Sequence, residues 1–588
     1  MRRRIAFACA ALAMATAISG TTAMAAGNGG FKTAQPSMLT AIKSGVTVTP
    51  LLTVGDVFGD SGFQFEAIPD GISLQNRGNG RVDVYVNHET SKVPFPFNTA
   101  TPTASNGESD FDNSQVSALI LNKNSAGVLD GSFAIPSSGG FQRFCSNYLA
   151  TGKEGFDRDI LFTNEESPDY VFRQEDSWPP PMGDPAEEEN GVVLAFDVKS
   201  RQYHVIYGMG RHNHENNVAI PGFDDLVVLS GDDTFTSGPL TIPPGGPNTE
   251  TSAASQSQLY SYIATDTDSL LADEGDLWAF VSDDAAFDDY YDFVPGSTTS
   301  VSGHFIEVPK NIATGKNPDG SEIKAADLGY PLPPTNGSWQ RDLRTTVATG
   351  IDGPQWVLEY WSQLHNVFDF VRVEDIAYDK RPGMGNVVYV VDSGRGTAPT
   401  VAPFSGPGIS TNGRVWKMVL DPDDPKVVDS LSIAVEGDDF PVKTLNEIHQ
   451  PDNVETTQTG LLVTEDPGSS QQFPPNSTDP NATTARLWYV PFSGSPEVVV
   501  NIDQTADGEG TDVDGRADGN WGAWETTGIV DASAAFGAGA FLINVQAHTL
   551  WVEKALGPDT FIDSETVNPD FTYKREGGQL LLIRIPGI

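Results

Sequence analysis

The segment GRHNHENN contains a dense group of side chains that bind ions, namely Arg211, His212, His214 and Glu215. A surface turn does not need so many such groups. Similar polar clusters recur along the chain: Asn87, His88 and Glu89; Asn164, Glu165 and Glu166; Asp232 and Asp233; Arg372, Glu374 and Asp375; His449, Asp452 and Asn453; and Glu465 and Asp466. Any one of these clusters alone is typical of an ordinary turn. Together they predict cation binding, because carboxylate and amide oxygens are the ligands that hard cations require.

The elements that must position these clusters are short apolar segments rich in β-branched and aromatic residues. They include RVDVYVNHE, GVVLAFDVKSRQYHVIYG, GDLWAFVSDD, NVVYVVDSG, GRVWKMVLDP, GLLVTEDPG, RLWYVPFSGSPEVVVNI and GQLLLIRIPG. Their length and composition predict antiparallel strands that are joined by turns rich in Gly and Pro. Most of the polar clusters fall where such a strand ends, so the sequence predicts an all-β fold with ligand-capable side chains at strand ends.

The size of the chain favours a β-propeller. A chain of 588 residues that is all-β and has no evident linker is best accommodated by small sheets repeated around one axis. Such a fold brings strand ends from distant parts of the sequence to one central cavity. No clean sequence repeat is visible, and the long segments at 178–190 and 296–339 are predicted to be loop insertions.

The chain begins with a basic and then apolar segment that ends in small residues, and residues 1–25 are predicted to be an export signal. Arg2, Arg3 and Arg4 fit the twin-arginine route and the general secretory route equally well. Residues 26–588 are predicted to form one domain that acts in the periplasm or outside the cell. The formal net charge of -44 disfavours nucleic acid as a partner. No apolar run after the signal is long enough for a membrane span.

Cys145 is the only cysteine outside the predicted signal, because Cys9 lies within it. A single thiol cannot form an internal disulfide. It is either a small buried side chain or a metal ligand, and both alternatives remain open on its type alone.

Other motifs are less informative. The acidic tract at 503–520 resembles a calcium-binding EF-hand loop but lacks the required side chains at two positions. We therefore expect weak calcium binding at most. The absence of G-x-S-x-G, P-loop and H-E-x-x-H motifs disfavours serine hydrolases, nucleotide kinases and zincins.

Seven motifs of the chain occur in the same order as similar motifs in a known protein family. They are NHET, RFCSNYLA with FTNEES, GRHNHEN, VVLSGDD with SQLYSYI, FVRVEDIAYD, HQPDNVE with LLVTEDPG, and ETTGIVD with FLINVQAH. In these motifs the chain resembles the PhoX type of bacterial alkaline phosphatase, a family of secreted propeller phosphatases that use iron and calcium. The resemblance extends from about Val84 to His548 and implies a six-bladed propeller.

The resemblance also implies roles for individual residues. Cys145 would be a soft ligand for iron, and Glu374 is similar to the family's iron-binding carboxylate. Arg372 lies two residues before Glu374, so both reach one cavity if they share a strand face. The planar guanidinium of Arg372 suits two phosphate oxygens. The other implied metal ligands are Glu89, Glu165, Glu166, Glu215, Asp232, Asp233, Asp452, Asn453, Glu465 and Glu525.

Within GRHNHEN, the resemblance implies that Glu215 is a ligand of a metal ion or of the phosphate, and therefore a catalytic residue together with Arg372. We expect His214 to support Glu215 by a hydrogen bond. Two alternatives remain open for His212: its side chain points to solvent, or it has a role that the sequence does not identify.

The predicted function is therefore an exported phosphatase that uses Ca²⁺ and Fe³⁺ to hydrolyse small phosphate monoesters and acts as a monomer. Two alternatives stay open. One is a noncatalytic, calcium-stabilised propeller that binds a ligand, because a fold and metal clusters do not by themselves establish chemistry. The other is a related hydrolase that acts on phosphodiesters or phytate.

Overall fold

The structure is a computed structural model of the 588-residue chain. It describes residues 29–66, 68–89, 114–167, 170–172, 187–234, 240–241, 251–252, 257–333, 351–394, 412–438, 447–466, 483–504, 524–553, 561–562 and 571–588. The predicted export signal at 1–25 and most of the acidic tract at 503–520 lie outside the described residues.

Strands dominate the described residues. In chain order they are β1 Leu39–Ala41, β2 Thr47–Thr53, β3 Val57–Phe58, β4 Phe63–Gln64, β5 Pro69–Asn76, β6 Arg81–His88, β7 Gln115–Asn122, β8 Val128–Ile135, β9 Phe144–Ala150, β10 Ile160–Glu165, β11 Tyr170–Phe172, β12 Glu187–Glu189, β13 Val193–Asp197, β14 Gln202–Ile206, β15 His214–Ile220, β16 Leu226–Asp232, β17 Leu240–Thr241, β18 Thr251–Ser252, β19 Leu259–Ala264, β20 Asp276–Ser282, β21 Ser300–Glu307, β22 Val373–Tyr378, β23 Val387–Asp392, β24 Arg414–Leu420, β25 Val427–Glu436, β26 Pro451–Thr456, β27 Gly460–Glu465, β28 Arg486–Pro491, β29 Glu497–Ile502, β30 Glu525–Asp531, β31 Ala540–Glu553, β32 Phe561–Ile562 and β33 Phe571–Arg584. The described α-helices are α1 Thr267–Leu271, α2 Lys310–Thr314, α3 Ala325–Leu328, α4 Pro354–Leu364 and α5 Ser533–Phe536, and 3₁₀ turns occur at Ser137–Gly139, Tyr207–Met209 and Tyr290–Asp292.

The strands pair antiparallel in sheets that largely follow chain order. The larger sheets have the orders β5-β6-β7-β8, β9-β10-β13-β14, β15-β16-β19-β20-β21-β25-β24-β23-β22, β26-β27-β28-β29-β1, and β30-β31-β33-β2 with β32 on β31. Small two-stranded sheets are formed by β3-β4, β11-β12 and β17-β18. Consecutive strands in the chain are therefore mostly neighbours in space, as expected when short turns connect antiparallel strands.

One strand from each run of neighbouring strands faces a common centre. β5 contacts β9, β9 contacts β15, β15 contacts β22, β22 contacts β26, β26 contacts β30, and β30 contacts β5. The two ends of the chain complete this ring, because β2 pairs with β33 and places Leu52 opposite Leu580. The fold is therefore all-β and propeller-like, as predicted from the sequence.

The apolar core is divided into clusters that fill the spaces between neighbouring sheets. In one cluster Tyr85 of β6 packs with Phe144 of β9, and in another Val391 of β23 packs with Val463 of β27. Both faces of a typical sheet are covered in this way, which explains why β10, β16 and β23 are buried along their whole length. This packing holds the inner strands, and hence the polar residues at their ends, in fixed positions.

Each quoted strand segment of the sequence forms a strand in the structure. RVDVYVNHE contains β6 and GDLWAFVSDD contains β20. The two halves of RLWYVPFSGSPEVVVNI form the antiparallel pair β28-β29. Among the described residues, no helix has both the length and the apolar character to cross a membrane.

The prediction of a loop insertion at 296–339 is wrong for residues 300–328. This part contains β21, whose buried and exposed residues alternate, and the short helices α2 and α3. Helix α2 starts after Pro309 and ends at Gly315, where φ is 65°. Pro309 and Gly315 therefore mark the two ends of a helix within the predicted loop.

Candidate metal centre

Seven side chains with metal-ligating atoms meet near the centre of the ring of inner strands. They form three groups, and within each group the ligand atoms lie within 4.8 Å of one another. The groups are Asp70, Glu89 and Cys145; Cys145, Glu166 and Glu215; and Glu215, Glu374 and Asp452. Cys145 and Glu215 each belong to two groups, so the three groups form one continuous set, which we call the central cluster.

One repeated backbone arrangement presents these side chains. In each sheet or run of strands, the inner strand provides one side chain to the cavity. The backbone carbonyl of the residue two positions before that side chain accepts a hydrogen bond from a backbone N–H. This N–H belongs to the residue that directly follows the strand paired with the inner strand. The acceptor and donor residues are Ile68 and Glu89 (3.3 Å), Arg143 and Glu166 (3.0 Å), Asn213 and Asp233 (2.8 Å), Arg372 and Ser393 (2.9 Å), and Gln450 and Asp466 (3.0 Å). The residues two positions after the acceptors are Asp70, Cys145, Glu215, Glu374 and Asp452. The structure therefore contains an internal repeat, which is this recurring hydrogen bond, although the sequence shows no clean repeat.

The central cluster is strongly acidic, and burial makes its ionisation costly. Desolvation raises the pKa of five carboxyl groups well above their usual range, and neighbouring carboxylates raise it further. These groups are Asp70, Glu166, Glu215, Glu374 and Asp452. Carboxylates held together in this way either take up protons or bind cations.

Glu215 has the features of a shared ligand. Its side chain is fully buried, and Oε1 accepts a hydrogen bond from Oγ of Ser146 at 2.7 Å. Its other oxygen, Oε2, has no hydrogen-bond partner within the described part of the chain. A buried carboxylate oxygen without a donor is costly, and a cation would remove that cost.

A layer of polar side chains beneath the cluster holds Ser146 and Asp70 in place. Nδ2 of Asn453 donates to Oγ of Ser146 at 3.0 Å, and Oδ1 of Asn453 accepts a hydrogen bond from Oγ1 of Thr527 at 3.0 Å. The Thr527 hydroxyl also contacts Asp70, and its single proton can be donated to only one of these two oxygens at a time. The predicted ligand Asn453 therefore orients the groups that contact the cluster, as second-shell residues of metal sites do.

Cys145 of β9 belongs to two groups of the central cluster, and its thiol donates a hydrogen bond to Oδ2 of Asp70 at 2.8 Å. Burial raises the pKa of this thiol, and four carboxylates, Asp70 first, raise it further. The side chain is only partly buried, and its neighbours are carboxylates rather than apolar groups. Of the two alternatives for this cysteine, these surroundings favour the metal ligand.

Arg372 and Glu374 reach the same cavity. Nη2 of Arg372 lies 3.2 Å from Oε1 of Glu374. Nε and Nη2 of Arg372 donate to Oδ1 and Oδ2 of Asp233, each at 2.9 Å. The predicted ligand Asp233 therefore holds the guanidinium by two hydrogen bonds. Bidentate binding of phosphate by Nε and Nη2 would require Asp233 to move away.

The two histidines of GRHNHEN are placed differently from the sequence prediction. The predicted hydrogen bond from His214 to Glu215 is wrong, because its ring nitrogens pair with Oγ of Ser230 at 2.8 Å and with the carbonyl of Gly210 at 3.1 Å. His212 does not point to solvent, since it is buried and lies against His214 with ring centroids 3.5 Å apart. Burial lowers the pKa of His214 to about 3, so both rings act as neutral packing and hydrogen-bonding groups that fix the turn before Glu215.

Three predicted ligands are hydrogen-bonded by nearby protein donors. The carboxylate of Glu165 accepts the N–H of Gln142 at 2.9 Å, and that of Asp232 accepts the N–H of Thr234 at 3.0 Å. Glu465 is bonded by Nε and Nη2 of Arg486, each at 2.8 Å. Each therefore has at least one oxygen engaged by a protein donor, and all three lie outside the three groups of the central cluster.

Two acidic residues of the cavity were not predicted as ligands. Asp70 belongs to the first group, and Asp466 lies close enough to Glu525 to raise the pKa of Glu525, after the larger effect of desolvation. The predicted ligand Glu525 therefore lies at the edge of the cavity beside Asp466. Asp466 directly follows Glu465, so both members of this sequence cluster lie at the end of β27.

Comparison with known proteins identifies no family for the chain. No protein-family model matches it, and no curated protein matches its sequence. Among solved structures, a point mutant of the NanB sialidase from Streptococcus pneumoniae is similar with 9% identity and a TM-score of 0.35, over 93% of this chain and 70% of that chain. The same sialidase bound to a chlorobenzyl-ammonio-ethanesulfonate gives 9% identity and a TM-score of 0.34, over 92% and 71%. The Trypanosoma rangeli sialidase gives 9% identity and a TM-score of 0.19, over 93% and 60%. The propeller-like fold of this chain is shown by its own strand contacts.

Proposed function

We propose that the chain is an exported, metal-dependent phosphatase of the PhoX type that hydrolyses phosphate monoesters and releases inorganic phosphate. The observation that carries this proposal is the central cluster, in which one thiol and six carboxyl groups form three overlapping ligand sets. A phosphatase without a serine or histidine nucleophile needs such a site, because metal ions can position the substrate and activate water.

The donor set fits iron and calcium. Thiolate is a soft ligand that suits iron, and carboxylate oxygens suit calcium. We propose that iron is held in the two groups that share Glu215, one of which contains Cys145 and the other Glu374. Calcium would be held by the remaining carboxylates of the cluster, Asp70, Glu89, Glu166 and Asp452. When bound, these ions would polarise the phosphoryl group and lower the pKa of the attacking water.

The chain's own residues then have separate tasks. Glu215 joins two ligand groups, and the Ser146 hydroxyl fixes the orientation of its carboxylate. Asp233 holds Arg372 at the rim of the cavity, 3.2 Å from Glu374. A guanidinium fixed there before the substrate arrives stabilises the negative charge of the transition state without reorganisation.

We further propose that the propeller has six blades. The nine-stranded sheet divides between β21 and β25 into two antiparallel runs, each with its own inner strand, β15 and β22. With this division the ring of inner strands contains β5, β9, β15, β22, β26 and β30. Larger apolar clusters lie between successive runs, including one that joins Val218 of β15 to Trp416 of β24.

Replacement of Arg372 by lysine is expected to lower kcat/KM for p-nitrophenyl phosphate by about 10- to 100-fold. Lysine keeps the positive charge but cannot form the two parallel bonds to Asp233 that orient the guanidinium. A matched control is Arg381→Lys, because Arg381 forms a similar two-bonded pair with Asp379 after the far end of β22. Equal kinetics of the two variants would contradict the proposed role of Arg372.

Removal of metal ions is expected to lower the melting temperature by roughly 10 °C at pH 8, because the carboxylates of the cluster lose the charges that compensate them. The pKa values of these carboxyls are raised in the fold. Their contribution to the stability of the metal-free protein is therefore fully present below the ordinary carboxyl pKa and is lost as pH rises through the elevated values. The effect of EDTA on the melting temperature should thus be smaller at pH 5 than at pH 8. An unchanged melting curve at pH 8 would mean that the cluster holds no structural cation.

The proposed activity is tested by assaying p-nitrophenyl phosphate with protein supplied with calcium and iron, and with the same protein after chelation. Turnover that requires the metals supports the proposal, and turnover no greater than that of the stripped control contradicts it. A panel with bis-p-nitrophenyl phosphate and phytate distinguishes a monoesterase from the related hydrolases. A protein that binds calcium without iron and turns over none of these substrates would favour the noncatalytic binding module.

A further inference from the structure

Five of the inner strands carry their cavity side chain in a β-bulge. On β9 the register shifts between Phe144 and Asn147, and on β15 it shifts between His214 and Asn217, so that two residues face one residue of the paired strand. The same shift occurs on β5, β22 and β26. The first bulged residues of the five strands are Asp70, Cys145, Glu215, Glu374 and Asp452. A bulge interrupts the hydrogen-bond ladder, so the ladder alone does not fix these residues.

Asn164 binds the bulge on β15. It is the single residue of β10 that faces the β9 bulge, and its side chain is fully buried. Its Nδ2 donates to the carbonyl oxygens of His214 and Glu215, each at 2.7 Å. Its Oδ1 accepts a hydrogen bond from Nδ2 of Asn217 at 2.8 Å. The amide of Asn164 therefore bonds the backbone at Glu215 and also the first paired residue after the bulge.

Asn87 binds the bulge on β9 in the same way. It is the single residue of β6 that faces the β5 bulge. Its Nδ2 lies 3.0 Å from the carbonyl oxygen of Cys145 and 2.9 Å from that of Ser146, and Oγ1 of Thr163, at 2.9 Å, is a third acceptor for the same two N–H groups. Its Oδ1 accepts a hydrogen bond from Nδ2 of Asn147 at 2.8 Å. In both bulges, an asparagine of the preceding sheet is thus bound in return by the asparagine two residues after the cavity side chain.

The bulges that carry Glu374 and Asp452 have no such asparagine. Gly231 is the residue that faces the β15 bulge, and a Cβ atom there would lie 3.0 Å from the carbonyl oxygen of Glu374, so the backbones approach too closely for a side chain. Val391 is the residue that faces the β22 bulge, and its side chain has no hydrogen-bond donor.

The bulge on β5 has a partial version of the arrangement. Asn544 of β31 donates to the carbonyl oxygen of Asp70. The residue two positions after Asp70 is Ile72, which has no amide to return the bond. Among these five bulges, the full arrangement therefore occurs only at Cys145 and Glu215, which are also the two residues that belong to two groups of the central cluster.

We propose that Asn164 and Asn87 are positioning residues of the metal centre, which hold the bulges that present Glu215 and Cys145 to the metal ions. The inference rests on the metal-dependent function proposed above and deepens it. The Sγ atom of Cys145 is one rotatable bond from the backbone, so a shift of the bulge moves this ligand atom by a similar amount. Metal–ligand distances tolerate changes of only about 0.2 Å, and a residue that orients a ligand typically contributes about 10- to 100-fold to metal affinity.

The same hydrogen bonds have a simpler role that the experiment must distinguish from positioning. Carbonyl groups in a bulge lose their partners in the ladder, and a buried carbonyl without a donor is costly. If the two amides only satisfy these carbonyls, their removal lowers the stability of the fold and leaves the affinity for metal ions unchanged. Positioning predicts a loss of metal affinity in addition.

The test is the affinity of the metal-free protein for Ca²⁺ and for iron, each titrated in competition with a chelator. Asn164→Ala should raise the dissociation constants of both metals about 10- to 100-fold, because Glu215 belongs to two ligand groups. Asn87→Ala should raise the dissociation constant of iron by a similar factor and that of Ca²⁺ less, because Cys145 provides the thiol.

The matched control is Asn386→Ala. Nδ2 of Asn386 donates to the carbonyl oxygen of Leu420 at 2.7 Å, next to the end of β23 that lies opposite the cavity. All three variants lose a hydrogen bond from an amide to a backbone carbonyl, so all three should melt below the metal-free wild type. The control should nevertheless keep both dissociation constants within about twofold of the wild-type values.

Asn164→Ala and Asn87→Ala proteins that fold and bind both metals within about twofold of the wild type would overturn the inference, as would an equal loss of affinity in the control. If the alanine variants do not fold, Asn164→Ser and Asn87→Ser take their place, and unchanged metal affinity in both overturns it instead.

The proposed function can fail separately. A wild-type protein whose metal affinities depend on Asn164 and Asn87, but which hydrolyses no phosphate ester, refutes the phosphatase and leaves the positioning role. A wild-type protein that binds neither metal refutes the positioning role together with the metal centre.

Discussion

Replacement of Glu215 by glutamine is expected to reduce the hydrolysis of p-nitrophenyl phosphate by about 10³-fold or more, beyond the 10- to 100-fold loss typical of residues that only support a metal ligand. Glu215 belongs to two of the three ligand groups. An amide of the same shape keeps the packing and an acceptor for Ser146, but it removes the charge that would hold cations in both groups.

The same variant separates metal binding from folding. In the metal-free protein, desolvation and the neighbouring carboxylates raise the pKa of Glu215, so its ionised form destabilises the fold. Metal-free Glu215→Gln should therefore melt at a temperature equal to or above that of the metal-free wild type, although the metal-loaded variant melts below its wild-type counterpart. Glu307→Gln is the matched control, because Glu307 is exposed on β21. Activity of Glu215→Gln within tenfold of the control would contradict the shared-ligand role.

Replacement of Cys145 by serine is expected to remove iron and to lower turnover by at least about 100-fold, while most of the calcium is retained. A hydroxyl is a poor ligand for a soft metal, but it can still donate the hydrogen bond that the thiol makes to Asp70. Any loss of iron therefore reports the change of ligand atom and not a missing hydrogen bond.

The reactivity of the thiol gives an independent measurement of the same role. With metals bound, Cys145 should react slowly with thiol reagents, and chelation should allow a reaction that becomes faster as the pH is raised, since the side chain is only partly buried but the surrounding carboxylates raise the pKa of its thiol. A structural cysteine would react little in either state. Full iron content and full activity of Cys145→Ser would remove this residue from the site and weaken the assignment of iron.

The strands of the propeller could be predicted from the sequence because each has a local signal. β-branched and aromatic residues between turns identified β6, β20 and the β28-β29 hairpin. The polar clusters at strand ends also identified the right places in the chain, because side chains that follow buried strands collect where those strands converge. The ring itself has no local signal, since it depends on contacts between inner strands far apart in the sequence.

The orientation of individual side chains was less predictable. In the pairs Glu165 and Glu166, Asp232 and Asp233, and Glu465 and Asp466, the carboxylate of the first member is hydrogen-bonded by a nearby protein donor. The second member donates its N–H to the residue that directly precedes the inner strand. Adjacent residues on an extended chain point in opposite directions, so only one of each pair can face the cavity. Which one does so depends on the register at the end of the strand, and the sequence of two acidic residues does not contain that information.

Asp70 was missed for a related reason. It lies in the segment Pro69, Asp70 and Gly71, which has the composition of a turn, but in the structure it is the second residue of β5 and accepts a hydrogen bond from Cys145. Gly71 is required there because a Cβ atom would lie 2.4 Å from the backbone nitrogen of Asn147 on β9. Gly71 therefore permits the close approach of two inner strands.

The most direct test of the metal centre is elemental analysis of the purified protein, with no metal added after purification. A cluster of one thiol and six carboxyl groups in three overlapping sets should hold more than one cation, and both iron and calcium should be present in amounts comparable to or above that of the protein. Iron should fall selectively in Cys145→Ser, and both metals should fall in Glu215→Gln. A fully folded wild-type protein that contains neither metal would contradict the metal centre, and one that contains calcium alone would contradict the iron site on which the proposed chemistry depends.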